Sequence, residues 1–379
     1  MINLRKKQEV KMEEYILRLK QLSSNFSYEA FIDLLKEIDS QIISGNITYL
    51  GTEFVRHFDY ITNFTRDTYV LENNQLGSLG HFLLETTLLE KREISPTTAI
   101  CFFLEQKKKL GFENICNEIS FDAQGKTIMY IDDSKNNGLL SINCKYFKNL
   151  EATTDERNYE MMWAILHELA HVYQYTRTEE TDNVFDKLVY YDYQQLKNLQ
   201  QYGTAYSDDY RAHQAFISEV MADEQADVFM LDLCGKHPEY FTADLIEKKK
   251  LVYKNKKYNK NNLGYITEFN PRAQELYYMW DLKDYLAQSI DDFDNQSQAY
   301  PQGVYSTILS KNKEILIRAD EICEKRKPLI EKLEMQGISE RSSDKYYSIF
   351  LNTLYSFDGE TIVLENDLEK NNQEFNFYK

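Results

Sequence analysis

The stretch Asn158–Thr176, NYEMMWAILHELAHVYQYT, decides how the rest of the chain is read. Met161, Ile165, Leu169 and Val172 recur at three- and four-residue spacing, the period of one buried helix face. Thr153 and Glu156 stand ahead of it as a capping box, with Asp155 in the first turn, so a helix is predicted from there to about Tyr175. Inside it lies HELAH, residues 167–171. On a helix, residues four apart lie only about 40° apart around the axis and about 5–6 Å apart on one face. His167 and His171 can therefore share one metal ion, and Glu168 points beside them, where it can take a proton from water. With six histidines in 379 residues, chance would place such a pattern on the order of once in a hundred chains, so the match is specific without being decisive alone.

A catalytic zinc asks for three protein donors and one open position. Downstream, FISEVMADEQADVFM (216–230) reads as a second helix, predicted at about 214–234. Glu219 and Asp223 stand one turn apart there. Glu219 is expected as the third ligand, and Asp223 as acceptor for the N–H of a ligating histidine. Two other arrangements stay open: Asp223 exchanging roles with Glu219, or Glu224 on the metal. Tyr206, Tyr210 and His213 lie between the two helices and are the candidates for steadying an oxyanion.

HExxH on one helix, followed some fifty residues later by Glu-x-x-Ala-Asp on another, resembles the gluzincin group of zinc metallopeptidases, with thermolysin as type example. The resemblance covers about residues 115–235. It implies zinc held by His167, His171 and Glu219, Glu168 as general base, and Asp223 behind a ligating histidine, His167 being favoured. It also implies a zincin-like core, in which a small twisted sheet packs on the HExxH helix. No Gly-rich His extension follows HELAH, which argues against a metzincin.

Outward from this core, residues 118–121 (EISF), 127–131 (TIMYI) and 139–142 (LLSI) read as short strands separated by the turn segments DAQGK and DDSKNNG. Residues 10–45 and 52–110 read as helices, with boundary signals at Pro96 and at Lys107–Gly111. The region to about residue 355 reads as further helix, and the last 20 or so residues as a polar, acidic tail. The expected class is α+β, mostly helical. It comprises an N-terminal helical region (1–115), the zincin-like core (116–235) and a C-terminal helical region with a tail (236–379).

Composition narrows the function. Gly (13) and Pro (5) are scarce, which disfavours a turn-dense sandwich or barrel. A net charge of −17 repels phosphate, so general nucleic-acid or anionic-membrane binding is not expected. The basic run KKKLVYKNKKYNKNN (248–262) departs locally from this charge. It reads as a solvated loop or helix end, with a polyanion contact through Tyr253 and Tyr258 as the minor alternative. Five cysteines, an odd count without a CxxC pair, read as free thiols in a reducing compartment. With no signal-type apolar core near the N-terminus and no long apolar run, a cytoplasmic protein is expected. The function expected is a zinc-dependent hydrolase acting on peptides or proteins, with partner contacts through the flanking helical regions. The competing reading is a non-catalytic helical binding protein with a structural or vestigial zinc clamp, in which Glu168 would have no task.

Overall fold

The structure, a computed structural model, describes residues 2–63, 78–122, 129–132, 138–148, 152–182, 184, 186–191, 193–194, 217–258, 321–322, 324–329, 331–332, 335 and 346–364. The chain divides into two compact units. One comprises Met1–Leu169 and Lys236–Ile246, the other Ala170–Gly235 and Glu247–Lys379.

The first unit opens with helices α1 (Ile2–Ser24), α2 (Tyr28–Ile43), α3 (Thr52–Thr62), α4 (Leu79–Leu89) and α5 (Pro96–Lys109). Three of them have a side-chain cap. Ser27, Ser78 and Ser95 cap α2, α4 and α5 by accepting from the backbone N–H of Ala30, His81 and Thr98, and Pro96 takes the first position of α5. In α2 the buried side chains are Phe31, Leu34, Leu35, Ile38 and Ile42, the spacing of one apolar stripe. Helix α5 is different, because it buries every residue from Pro96 to Leu104 and is the central helix of the bundle. Gly80 lets α4 approach it closely: a Cβ there would meet that of Cys101 at 3.1 Å.

Asp39 on α2 pins the start of α5, accepting from Thr97 N at 2.7 Å and from Thr97 Oγ1 at 2.9 Å. Burial pushes its carboxyl up to about 6, against the pull of these bonds. A folded-state value above the unfolded one means that Asp39 contributes its full stability only below about pH 4 and loses it as pH rises through about 6. Asp39→Asn keeps an acceptor for Thr97 but cannot ionise. Between about pH 4 and about pH 7 its stability relative to the native chain should improve by about 1–2 kcal/mol, the residual water contact of Asp39 reducing the full shift. Denaturant midpoints at the two pH values test this, and a pH-independent difference would refute it.

Strands β1 (Tyr49–Leu50), β2 (Ile119–Asp122), β3 (Met129–Asp132) and β4 (Leu139–Asn143) form one sheet in the order β1-β2-β4-β3. β2 runs parallel to β4, with Ile119 opposite Leu140. β3 is antiparallel to β4, with Met129 opposite Ile142, and β1 is antiparallel to β2. Ile119 and Phe121 of β2 are buried at period two, whereas β4 buries Leu140, Ser141 and Ile142 in succession. The second, third and fourth of these strands stand where the sequence placed them, whereas β1 was not expected.

Helix α6 (Thr154–Thr176) follows. Its capping box is present in full: Thr153 N donates to Glu156 Oε2 and Glu156 N to Thr153 Oγ1, both at 3.2 Å. In the first unit the loop before α5 holds its N-terminal half. Ile94 N donates to Asn158 Oδ1 at 2.8 Å, Asn158 Nδ2 donates to Arg92 O at 2.8 Å, and Arg157 pairs with Glu93. Asp155 caps the following segment, accepting from Thr242 N at 2.6 Å.

The second unit contains the rest of α6, helix α7 (Ile217–Lys236) and most of helix α8 (Ala243–Tyr258). Strands β5 (Tyr346–Ser348), β6 (Thr353–Phe357) and β7 (Ile362–Leu364) form an antiparallel sheet there. This sheet corrects the expectation of helix to about residue 355 and of a tail over the last 20 or so residues, which would have included β7. Residues 365–379 lie outside the described residues. The physical reason is turn chemistry. Asn352 takes a left-handed φ of 49° between β5 and β6, and Gly359 takes 100° between β6 and β7. Asp358 secures the second turn by accepting from the N–H of Glu360 and Thr361.

Buried Glu224 on α7 joins these elements, accepting from Tyr253 Oη of α8 at 2.7 Å and from Tyr355 Oη of β6. Its neighbour Gln225 accepts from Ile349 N at 2.8 Å. Around them Val228, Leu231, Tyr253, Tyr355 and Phe357 form a core cluster. The basic run is therefore helical over residues 248–258, and Tyr253, only 1% exposed, is a core residue and not part of a polyanion surface. Residues 259–262 lie outside the described residues.

Cys101, Cys116 and Cys144 of the first unit and Cys234 of the second are buried thiols outside any disulfide. Burial raises Cys101 well above the ordinary thiol value and pushes Cys234 up to about 12. Among the described residues no helix is long and apolar enough to cross a membrane.

Candidate functional site

Helix α6 is buried on most of its circumference. Met161, Met162, Ile165, Leu166, Leu169, Ala170, Val172 and Tyr173 are all enclosed. The half-buried positions are Thr154, Glu156, Glu160, Trp163, His167, Glu168, His171, Tyr175 and Thr176. With 100° per residue, Glu160, Trp163, His167 and His171 fall on one stripe, and Glu168 borders it. The chain thus places its motif on half-buried positions of α6, while the buried apolar residues between the motif positions fix the helix.

Three side chains complete this stripe's local geometry. Trp163, one turn before His167, stacks on its ring with centroids 5.1 Å apart and planes 25° apart. Gln174, one turn after His171 and 2% exposed, has Oε1 2.9 Å from His171 Nδ1. Its Nε2 donates to Met221 Sδ of α7 at 3.4 Å, so a side-chain chain runs from His171 to the helix that also carries Glu219. Beyond Gln174, Tyr173 donates to Asp186, and Arg177 pairs with Asp186 at 3.1 Å while lying 4.1 Å over the Tyr173 ring. This clip ties the end of α6 to the helical residues 186–191 within the second unit.

His167, Glu168 and His171 stand on α6 in helical register, and Glu219 and Asp223 are both on α7. Asp223 is half-buried, and the Glu219 side chain lies outside the described residues. So do Tyr206, Tyr210 and His213. Among the described residues no group of three or more His, Cys, Asp or Glu side chains converges as a metal site. Glu224 is engaged by two tyrosine hydroxyls, a task in the fold.

Sequence reasoning passed over Trp163 and Gln174. Both were legible as extensions of the motif's own face, four residues before His167 and three after His171. Comparison of the chain with protein-family models, with curated proteins and with solved structures finds no match.

Proposed function

We propose that this chain is a zinc-dependent hydrolase of the metallopeptidase type, built on a zincin-like core. The observation that carries the reading is the placement of HELAH: both histidines and the glutamate occupy half-buried positions on a mostly buried helix. The donor set fits zinc, since two imidazoles and a carboxylate are the ligands of open, catalytic zinc sites. The ring of His171 is already tied at Nδ1 to Gln174, the arrangement in which Nε2 is the ligating nitrogen.

In this reading His167, His171 and Glu219 would hold the ion, and Asp223 would orient a ligating histidine. Zinc held there would supply a Lewis acid, for polarising a carbonyl oxygen and for lowering the pKa of water towards about 7. Glu168 removes a proton from the attacking water as its oxygen bonds to the carbonyl carbon. It then delivers that proton to the departing amine nitrogen as the carbon–nitrogen bond breaks. Tyr206, Tyr210 and His213 are the candidates for donating to the oxyanion. Peptides or unfolded proteins are the substrate class that this chemistry serves, and a cytoplasmic location agrees with thiols outside any disulfide.

Metal analysis tests the proposal. The purified protein should carry about one zinc per chain, and His167→Ala or His171→Ala should lose most of it. Full zinc occupancy in both variants would sink the assignment.

A further inference from the structure

The contacts of Gln174 reach beyond packing. A thioether sulfur only accepts hydrogen bonds, so the Gln174 group that meets Met221 Sδ at 3.4 Å is its NH₂. That fixes the amide the other way round at His171: the atom 2.9 Å from Nδ1 is the carbonyl oxygen, which also only accepts. Nδ1 of His171 must then carry the proton, and in the neutral ring the lone pair sits on Nε2. Both partners of this relay are buried, Gln174 at 2% and Met221 at 5% exposure, so the fold encloses the amide.

We propose that Gln174 is a positioning residue for metal binding: it sets His171 in its Nδ1–H tautomer and aims Nε2 along the motif face. Met221 of α7 locks the direction of the Gln174 amide. The role rests on the zinc reading above. It adds to it a residue outside the HExxH and Glu-x-x-Ala-Asp patterns. A histidine free to choose would place much of its population in the other tautomer, with a proton on the nitrogen that must bind the ion. An acceptor at Nδ1 removes that competition before metal arrives, and such partners typically change metal affinity by about 10–100-fold.

The test uses the full chain. Long-range ¹H–¹⁵N correlation of metal-free, ¹⁵N-histidine-labelled protein at about pH 8, where imidazoles are neutral, reads the tautomer of each ring directly. His171→Asn assigns the His171 signals by their loss. The native chain should show His171 protonated at Nδ1. Gln174→Leu, of similar size but without an acceptor, should move His171 towards the Nε2–H form and weaken zinc binding about 10–100-fold in competition with a chromophoric chelator. Gln174→Glu restores an acceptor oxygen, and should recover both the Nδ1–H signal and most of the affinity. A purely structural glutamine would not show this rescue, because the carboxylate cannot donate to Met221. His171 protonated at Nε2 in the native chain overturns the proposal even if Gln174→Leu does not fold. Equal zinc affinity in the native chain and Gln174→Leu overturns the role of Gln174 alone. A native chain that takes up no zinc overturns the metal reading, and this role with it.

Discussion

Replacing Glu168 by Gln is expected to leave zinc content and thermal stability close to those of the native chain while hydrolysis falls by about 10²–10⁴-fold, the usual worth of a positioned general base. The substitution keeps side-chain size and helix propensity. Glu168 is half-buried on a helix whose packing comes from Leu166, Leu169, Ala170 and Val172, and an amide of the same shape leaves that packing in place. The amide cannot take a proton from water, and the step that uses it stops. A mixture of unfolded proteins and peptides, followed by mass spectrometry with and without a chelator, measures the activity without a chosen substrate. Chelator-sensitive cleavage that continues at the native rate in Glu168→Gln would show that the catalytic assignment is wrong. A structural zinc clamp has no cleavage to lose.

The second large effect is on stability. Glu224→Ala should cost about 2–4 kcal/mol, because it removes the acceptor of two buried tyrosine hydroxyls and opens a void between α7, α8 and β6. Tyr253→Phe and Tyr355→Phe should each cost about 1 kcal/mol, as each removes one donor and leaves the carboxylate the other. Zinc content, normalised to folded protein, should stay the same in all three. Urea midpoints and metal analysis of the same preparations decide the matter. Glu224→Ala with native stability and no zinc would make Glu224 the third ligand in place of Glu219.

What the sequence made legible follows the length and regularity of each signal. Helix α6 was readable from its capping box, its apolar stripe and its motif together, and three independent signals agreed on one segment. Strands β2 and β4 were readable because Ile119–Phe121 and Leu140–Ile142 stand between clear turn segments. The sheet formed by β5, β6 and β7 was not read. Its strands are three to five residues long, and short aromatic runs such as Tyr346–Ser348 carry no period that separates strand from helix. The Asp358–Gly359 pair was the available signal, and its weight was missed. On the motif helix, the ligand-type residues were legible because the chemistry prescribes their identity. Gln174 was not, since a glutamine's importance lies in what its two ends touch, and one of those partners, Met221, is 47 residues away.

The buried thiols give the molecule its own clock. A cysteine reacts as thiolate, and both burial and a raised pKa deny that form to Cys101 and Cys234 in the folded chain. Alkylation at these positions therefore waits for the surrounding structure to open, and its rate counts openings. Because Cys101, Cys116 and Cys144 belong to one compact unit and Cys234 to the other, the order in which the four sites acquire label separates the breathing of one unit from that of its neighbour.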